Sequence, residues 1–538
     1  YRVGQETKLP PVAMDIDQLP CGSFCMVAIA TILMSLILRQ VLGGKHTGAK
    51  LPPGPWNLPV IGSLHHLVGT KLPPHRAFLR LARRHGPLML LRLGKVPIVI
   101  VSTPEAAMEV FKTNDLAFAT RPSSPTVDII SSGGKGFALA PYGDHWRQMR
   151  KICIMELLSA RQVRRIDSIK QAEVTHLMES VATASSASSS AIIDIGKELS
   201  RLTNNIIARA AFGGKCRQQE VYLRELAVLA SLVGGFSLVE LYPSSPLVRW
   251  LTGDCRDLRR SHARIQRILA DIIQERKEKK QHNASAAAAA TATPNEDEDL
   301  LDVLLRQHEE DNLSFPLTSE TVGTIIFEIF GAATDTTAST LEWAMSELIR
   351  NPHVMARAKL ELQQRLGHHR RYTVTSADLD GLHYLRMVIK ETLRLHPSVS
   401  LIHRAAMEDC QVMGYDIPKG TSVMINAFAV GTDPTHWGED AVEFRPERFE
   451  EMSVEYFKQG PQMEFIPFGA GRRQCPGALF ASTTMELVLA NLLYHFDWAI
   501  PGGAGPETLD MGEVFGIVVQ TRSSLRLQAV ASCHLQDH

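Results

Sequence analysis

The chain has little cysteine for its length and no surplus of charge of either sign. Its 538 residues include eight cysteines, at 21, 25, 153, 216, 255, 410, 475 and 533, and no two form a C-x-x-C pair. The low density excludes a disulfide scaffold, and the spacing excludes a zinc ribbon or a thioredoxin-type dithiol. Lys+Arg and Asp+Glu are both 57, a formal net charge of zero. A chain without basic excess is not built to displace counterions along a nucleic acid. Glycine (37) and proline (29) occur at ordinary frequency, which excludes collagen-like and linker-dominated chains. No G-x-G-x-x-G loop follows a strand pattern, so direct binding of NADPH or flavin is not expected. Internal repeats are lacking too. What the chain does have is apolar material: 45% hydrophobic residues against 21% charged. That is enough for a sizeable core and argues against disorder. The length fits three to four average domains or one large one.

From Leu19 to Leu38 there is no charged residue, and Cys25–Leu38 is almost wholly apolar. Twenty helical residues span about 30 Å, the thickness of a bilayer's hydrocarbon. Asp15 and Asp17 precede the run, and Arg39, Lys45 and Lys50 follow it. A cleaved signal peptide has the opposite flank, a basic n-region, so the reading is an uncleaved signal-anchor with the bulk of the chain on the cytosolic side. The expected organisation is a lumenal segment 1–20, a transmembrane anchor 21–40, a linker and hinge 41–62 and a folded body 63–538. The hinge contains Pro52, Pro53, Pro55 and Pro59. These fix φ and forbid a continuing helix, as suits a semi-rigid spacer or a plain Pro-rich loop.

The body reads as mainly α with a small antiparallel β portion. Segment 88–101 predicts two short strands broken around Gly94 and Lys95. Ser102-Thr103-Pro104-Glu105 then opens a helix towards Thr113. A second hairpin is predicted over Cys410–Ile417 and Thr421–Phe428, with Pro418-Lys419-Gly420 as its turn. Helical periodicity covers Gln171–Val181, Leu223–Leu232, Leu258–Lys280, Thr318–Ile349, Pro352–Leu366 and Leu382–Leu395. Residues 281–299 are low-complexity, then acidic, and read as an exposed flexible loop.

The most informative stretch is Phe468-Gly469-Ala470-Gly471-Arg472-Arg473-Gln474-Cys475-Pro476-Gly477. A lone cysteine sits among glycines, whose free N–H groups can point at a sulfur, and beside two cations that favour thiolate over thiol. From these residues alone Cys475 is a metal thiolate, a nucleophile or a structural cysteine. The pattern F-x-x-G-x-R-x-C-x-G resembles, at every fixed position, the haem-binding loop of cytochrome P450 monooxygenases. The likeness extends over essentially the whole chain and is closest to the plant microsomal group that oxidises specialised metabolites. It implies the P450 fold and haem b, with Cys475 as axial iron ligand, Phe468 shielding the sulfur, Arg473 pairing with a propionate, and Gly469 and Gly477 shaping the loop.

Further motifs match the same family. Glu391 and Arg394 share a helix face at i,i+3, which alone is an ordinary surface pair. Phe444-Arg445-Pro446-Glu447-Arg448-Phe449 lies at the family's distance from them, and the resemblance makes Glu391, Arg394 and Arg448 a buried structural charge cluster. Ala332-Ala333-Thr334-Asp335-Thr336-Thr337 reads either as a Thr-rich helix patch with back-bonded hydroxyls or, by the resemblance, as the distal wall. There Asp335 and Thr336 would form an acid–alcohol proton relay. Ala333 stands where the family usually has glycine. Trp146 and Arg150 resemble a propionate-contacting pair on a cationic helix. Arg404 matches another such arginine, although His403 replaces the proline that often precedes it.

The family's substrate walls fall at about 121–141, 233–247, 327–336, 398–403 and 514–519. Candidate pocket residues are Ile129, Phe137, Phe236, Phe330, Ala333, Ile402 and Phe515, an uncharged set suited to a bulky hydrocarbon-like ligand. The resemblance implies electrons from NADPH through the membrane-bound NADPH–cytochrome P450 reductase, with Arg147, Lys151 and Arg472 as docking cations, and O₂ as co-substrate at the endoplasmic reticulum. It also points to a terpenoid, diterpene-like substrate. Two other readings stay open: a haem-thiolate isomerase or dehydratase acting on a peroxide, for which a proton relay is superfluous, and a non-catalytic membrane haem-binding protein.

Overall fold

The computed structural model describes residues 48–532 apart from 188–190, 215–217, 234–235, 288–297, 310–313, 368–372, 453–455 and 457–462. The proposed lumenal segment and anchor lie outside the described residues. Among the described residues no helix is long and apolar enough to cross a membrane.

Strands β1 (Leu88–Leu93) and β2 (Val96–Val101) pair antiparallel about Gly94-Lys95, with Leu88 opposite Val101. They form as predicted, because Gly94, at φ +61°, supplies the tight turn. The sheet continues through β3 (Leu401–Ala405) and β4 (Ser422–Asn426), in the order β1-β2-β4-β3. The β3 strand was not foreseen. One pairing, β2 with β4, is parallel. A parallel pair requires a crossover, and here the crossover is most of the helical body.

The second predicted hairpin is corrected. Cys410–Val412 pairs with Tyr415–Ile417 across Met413-Gly414, both at positive φ (51° and 73°). Pro418 to Thr421 instead turns the chain out of that ribbon and into β4.

The proline stretch is no free spacer where it is described. Pro53 O accepts a bond of 2.8 Å from Leu90 N, so the segment lies along the edge of β1. A Cβ on Gly54 would stand 2.0 Å from Leu90 O, which makes glycine obligatory for that approach.

Helix α1 spans Asp144–Ile152, α2 Ser319–Arg350, α3 His383–Leu395 and α4 Ala478–His495. The 32 residues of α2 run about 48 Å. The helix is capped by the Thr318 hydroxyl, which accepts from Thr321 N. It is buried nearly all round and therefore central, packed with α4 and with Ile195–Phe212 in the largest core. Pro104 opens a helix at the Thr103 cap as expected, and its second half, Glu109–Thr113, is π-helical. The helix Asp254–Ala287 continues into the low-complexity stretch expected to be loop, because alanine is the best helix former; residues 288–297 lie outside the described ones.

Candidate functional site

A cavity of about 310 Å³ lies between α2, β3, the segment before α1 and the cysteine loop. Helix α2 contributes Ala332, Ala333, Thr336, Thr337 and Thr340, a stripe at helical spacing. Strand β3 contributes Ile402 and Arg404, two apart and so on one face. Phe137 and Ala138 form another wall, and Phe468, Gly469, Cys475 and Gly477 the floor.

The floor is shaped by backbone. Gly471 has φ +69°, and a Cβ there would stand 2.3 Å from Asp115 Oδ1. Asp115 in turn accepts from Arg472 N at 3.0 Å, and Cys475 N donates to Phe468 O at 2.9 Å. Cys475 is accessible and lines the cavity, yet enclosure by the surrounding protein pushes the thiol's pKa up. A Gly477 N–H and the Arg150 charge act the other way. A soft cation in the cavity would tip this thiol to thiolate.

Four arginines surround the same space: Arg121, Arg150, Arg404 and Arg473. Arg473 donates to Ala119 O and Ala140 O, both at 2.6 Å, and its guanidinium lies 4.3 Å from the Trp146 ring centroid. Arg404 bonds His403 O and Ala470 O, and Arg150 bonds Gln474 O. Burial lowers the pKa of each, and their mutual repulsion adds to it for Arg121, Arg404 and Arg473, bringing Arg121 to about 10 and Arg473 to about 9. Among the described residues no carboxylate lies within ion-pair distance of any of the four. Such a cluster is stable only opposite anionic groups.

Sequence reasoning missed Arg121. It stands alone in Thr120-Arg121-Pro122, and only the fold turns it inward, where it bonds His403 O at 2.6 Å. Trp146 borders the arginines and not the cavity, since its indole N–H donates to Phe137 O at 2.9 Å.

Thr336 faces the cavity, its hydroxyl donating to Ala332 O at 2.7 Å, so the oxygen lone pairs remain available to a donor. Asp335 lies beside the lining residues and not among them. Burial pushes its carboxyl pKa up.

Of the pocket candidates, the structure brings Phe137, Ala333 and Ile402 together on the cavity. It does not bring the other four. Ile129 lines a surface groove with His262 and Gly323. Phe330 packs edge-on to Tyr222 at 4.8 Å, and Phe236 packs between Phe78 and Phe515. Of the five wall regions expected, 121–141, 327–336 and 398–403 reach the cavity, whereas 233–247 and 514–519 contribute nothing to its lining.

Glu391, Arg394 and Arg448 meet in the interior, at 0%, 2% and 7% exposure. Arg394 holds the Glu391 carboxylate through two bonds of 2.7 Å, and Arg448 Nε adds a third at 2.9 Å. Remaining guanidinium protons go to the carbonyls of Gly431, Trp437 and Asp440, which ties α3 to the segment leading to the cysteine loop. Arg147, Lys151 and Arg472 are exposed, with Arg147 paired to Asp144 and Arg472 to Asp115.

The set fits a thiolate-ligated haem: a soft donor on the floor, apolar walls, and buried guanidiniums with no ion-paired carboxylate among the described residues, where a haem's carboxylates would sit. The sequence model described as "Cytochrome P450" matches residues 52–527. Desmethyl-deoxy-podophyllotoxin synthase of Sinopodophyllum hexandrum is 44% identical, over 93% of this chain and 95% of its own. Ent-isokaurene C2/C3-hydroxylase of Oryza sativa subsp. japonica is 41% identical, over 94% and 96%. Among solved structures, a zebrafish cytochrome P450 with abiraterone superposes with a TM-score of 0.69 at 26% identity, covering 86% of this chain and all of that one.

Proposed function

The chain belongs to the cytochrome P450 family and is a monooxygenase of its plant specialised-metabolism type, and from that premise we propose that it inserts one oxygen atom from O₂ into an apolar terpenoid of diterpene-like size. Electrons would come from NADPH through the membrane-bound reductase. The observation that carries the reading is Cys475 opening onto an apolar cavity ringed by four arginines, none with a carboxylate at ion-pair distance among the described residues. Relatives named for ent-isokaurene and dolabradiene support the substrate class.

The bound haem supplies oxygen activation and insertion. The protein's part is placement. Cys475 would hold the iron, and Arg121, Arg150, Arg404 and Arg473 the acidic edge of the ring. Phe137, Ala333 and Ile402 would orient the substrate by shape and exclude water. Thr336 Oγ would accept a hydrogen bond at the cavity face, with Asp335 as the acid supplying protons there; burial raises that acid's pKa above the usual carboxylate value. Residues 21–40 would anchor the body to the endoplasmic reticulum, cytosolic side, with 41–62 as linker.

The test is incubation of the full chain, in microsomes with reductase and NADPH, with plant diterpenes, sesquiterpenes and a deoxypodophyllotoxin-type lignan. A terpene product heavier by one oxygen, dependent on NADPH and O₂, is expected. Turnover of the lignan alone overturns the substrate class. Product from a peroxide without NADPH favours the isomerase reading.

In Thr336→Ala, product formation is expected to fall by about 10²-fold while NADPH consumption persists and appears as peroxide. Unchanged product per NADPH would contradict the relay.

A further inference from the structure

One acid interrupts an otherwise apolar run of α2, Ile325-Ile326-Phe327-Glu328-Ile329-Phe330. Glu328 is buried, at 6% exposure, and among the described residues it forms no ion pair. Its carboxylate instead accepts three consecutive backbone N–H groups: Phe137 at 2.7 Å and Ala138 at 3.0 Å on Oε2, and Leu139 at 3.4 Å on Oε1. Converging amides of this kind form an anion nest, and here the anion is the protein's own. Burial raises the Glu328 pKa, while the three amides and the nearby Arg473 favour its carboxylate.

Gly136 is an independent sign that the nest is built. A Cβ at this position would stand 2.2 to 2.4 Å from the three carboxyl atoms of Glu328. Its φ is not in the left-handed region, so space and not backbone conformation requires glycine.

The other edge of the same segment faces cations. Phe137 O accepts from Trp146 Nε1 and Arg473 Nη1, Ala138 O from Arg121 Nε, and Ala140 O from Arg473 Nη2. The amides of residues 137–139 are therefore held on a carboxylate, and the carbonyls of 137, 138 and 140 on two guanidiniums. Phe137 and Ala138 meanwhile form a wall of the cavity.

The geometry points to Glu328 as a positioning residue that fixes this wall, and with it Arg121 and Arg473, and so determines which ligand shapes the cavity accepts. The clamp stands on its own hydrogen bonds; only its consequence for ligand choice rests on the haem reading above.

Three variants test it. Glu328→Gln keeps the shape but turns an NH₂ towards the amides. Glu328→Asp keeps the charge one methylene short. Gly136→Ala intrudes from the far side without altering a lining residue. Hydrogen exchange of amides 137–139 is read on the haem-loaded full chain, alongside optical titration with imidazole and 1-phenylimidazole. Both azoles coordinate iron, and only the second carries a ring that reaches the wall.

In Glu328→Gln and Gly136→Ala the amides should exchange about tenfold faster or more, and 1-phenylimidazole should weaken about tenfold relative to imidazole. Glu328→Asp should fall between these and the parent. Parent-like exchange and affinity ratio in Glu328→Gln and Gly136→Ala overturn the proposal. So does loss of fold in Glu328→Gln together with parent-like values in the other two, which would make Glu328 a stability residue only. If the unsubstituted chain takes up no haem, the haem reading fails, and exchange on the chain as purified still decides the clamp.

Discussion

Cys475→Ala yields a chain that oxidises no substrate and shows no thiolate-haem absorption, although it folds. The two effects separate because the cysteine loop is held by bonds that the sulfur does not make. Cys475 N to Phe468 O, Arg472 to Asp115, and Arg473 to Ala119 O and Ala140 O all survive the substitution. Circular dichroism should stay close to the parent's, and so should the denaturation midpoint when both chains are compared without haem, while turnover falls to background. Any haem retained through the arginines would carry a neutral axial ligand, without the electron donation that favours O–O cleavage. Parent-like turnover in this variant would refute the ligand assignment.

Glu391→Gln has the second large effect, and it acts on stability. One carboxylate faces two guanidiniums in an interior where Glu391 is fully buried, and Arg445 N donates to it as well, at 2.8 Å. Removing its charge leaves Arg394 and Arg448 buried together, with Asp440 the nearest remaining acid, 3.5 Å from Arg448. Breaking one partner out of such a cluster costs about 3–5 kcal/mol. The measurement is the urea midpoint of the full chain, with Lys135→Gln as control. Lys135 pairs with Glu320 on the surface, where 44% and 54% of the two side chains are exposed, and such a pair is worth about 1 kcal/mol or less. Equal shifts in the two variants would remove the structural role assigned to the cluster.

What the sequence revealed followed from local chemistry. The break at Gly94, the cap at Thr103-Pro104 and the helix beginning at Pro352 are each signalled within a few residues, and they form where expected. The cysteine loop stood out by its glycines and arginines, but those residues left three roles open for Cys475, and only the family resemblance chose among them. Pairings between distant segments were not legible. Strand 401–405 is five residues long, and His403 and Arg404 disguise it. The hairpin turn fell on Met413-Gly414 because the fold places a methionine at positive φ, a choice that propensity argues against. Arg121 and Glu328 escaped notice for a related reason. Each is a single charge in an unremarkable context, and each gains its meaning from partners 282 and 191 residues away. The aromatic pocket candidates show the same limit, because Phe330 sits on the right helix but turns to Tyr222, and Phe236 and Phe515 belong to segments that pack together away from the cavity.

The central claim is that the Cys475 sulfur ligates haem iron as thiolate. The most direct test is the carbon monoxide difference spectrum of the dithionite-reduced full chain. A strongly red-shifted Soret band, absent from Cys475→Ala, is the predicted result. A band at the position of haem with a neutral ligand, or one that persists unchanged in Cys475→Ala, would contradict it.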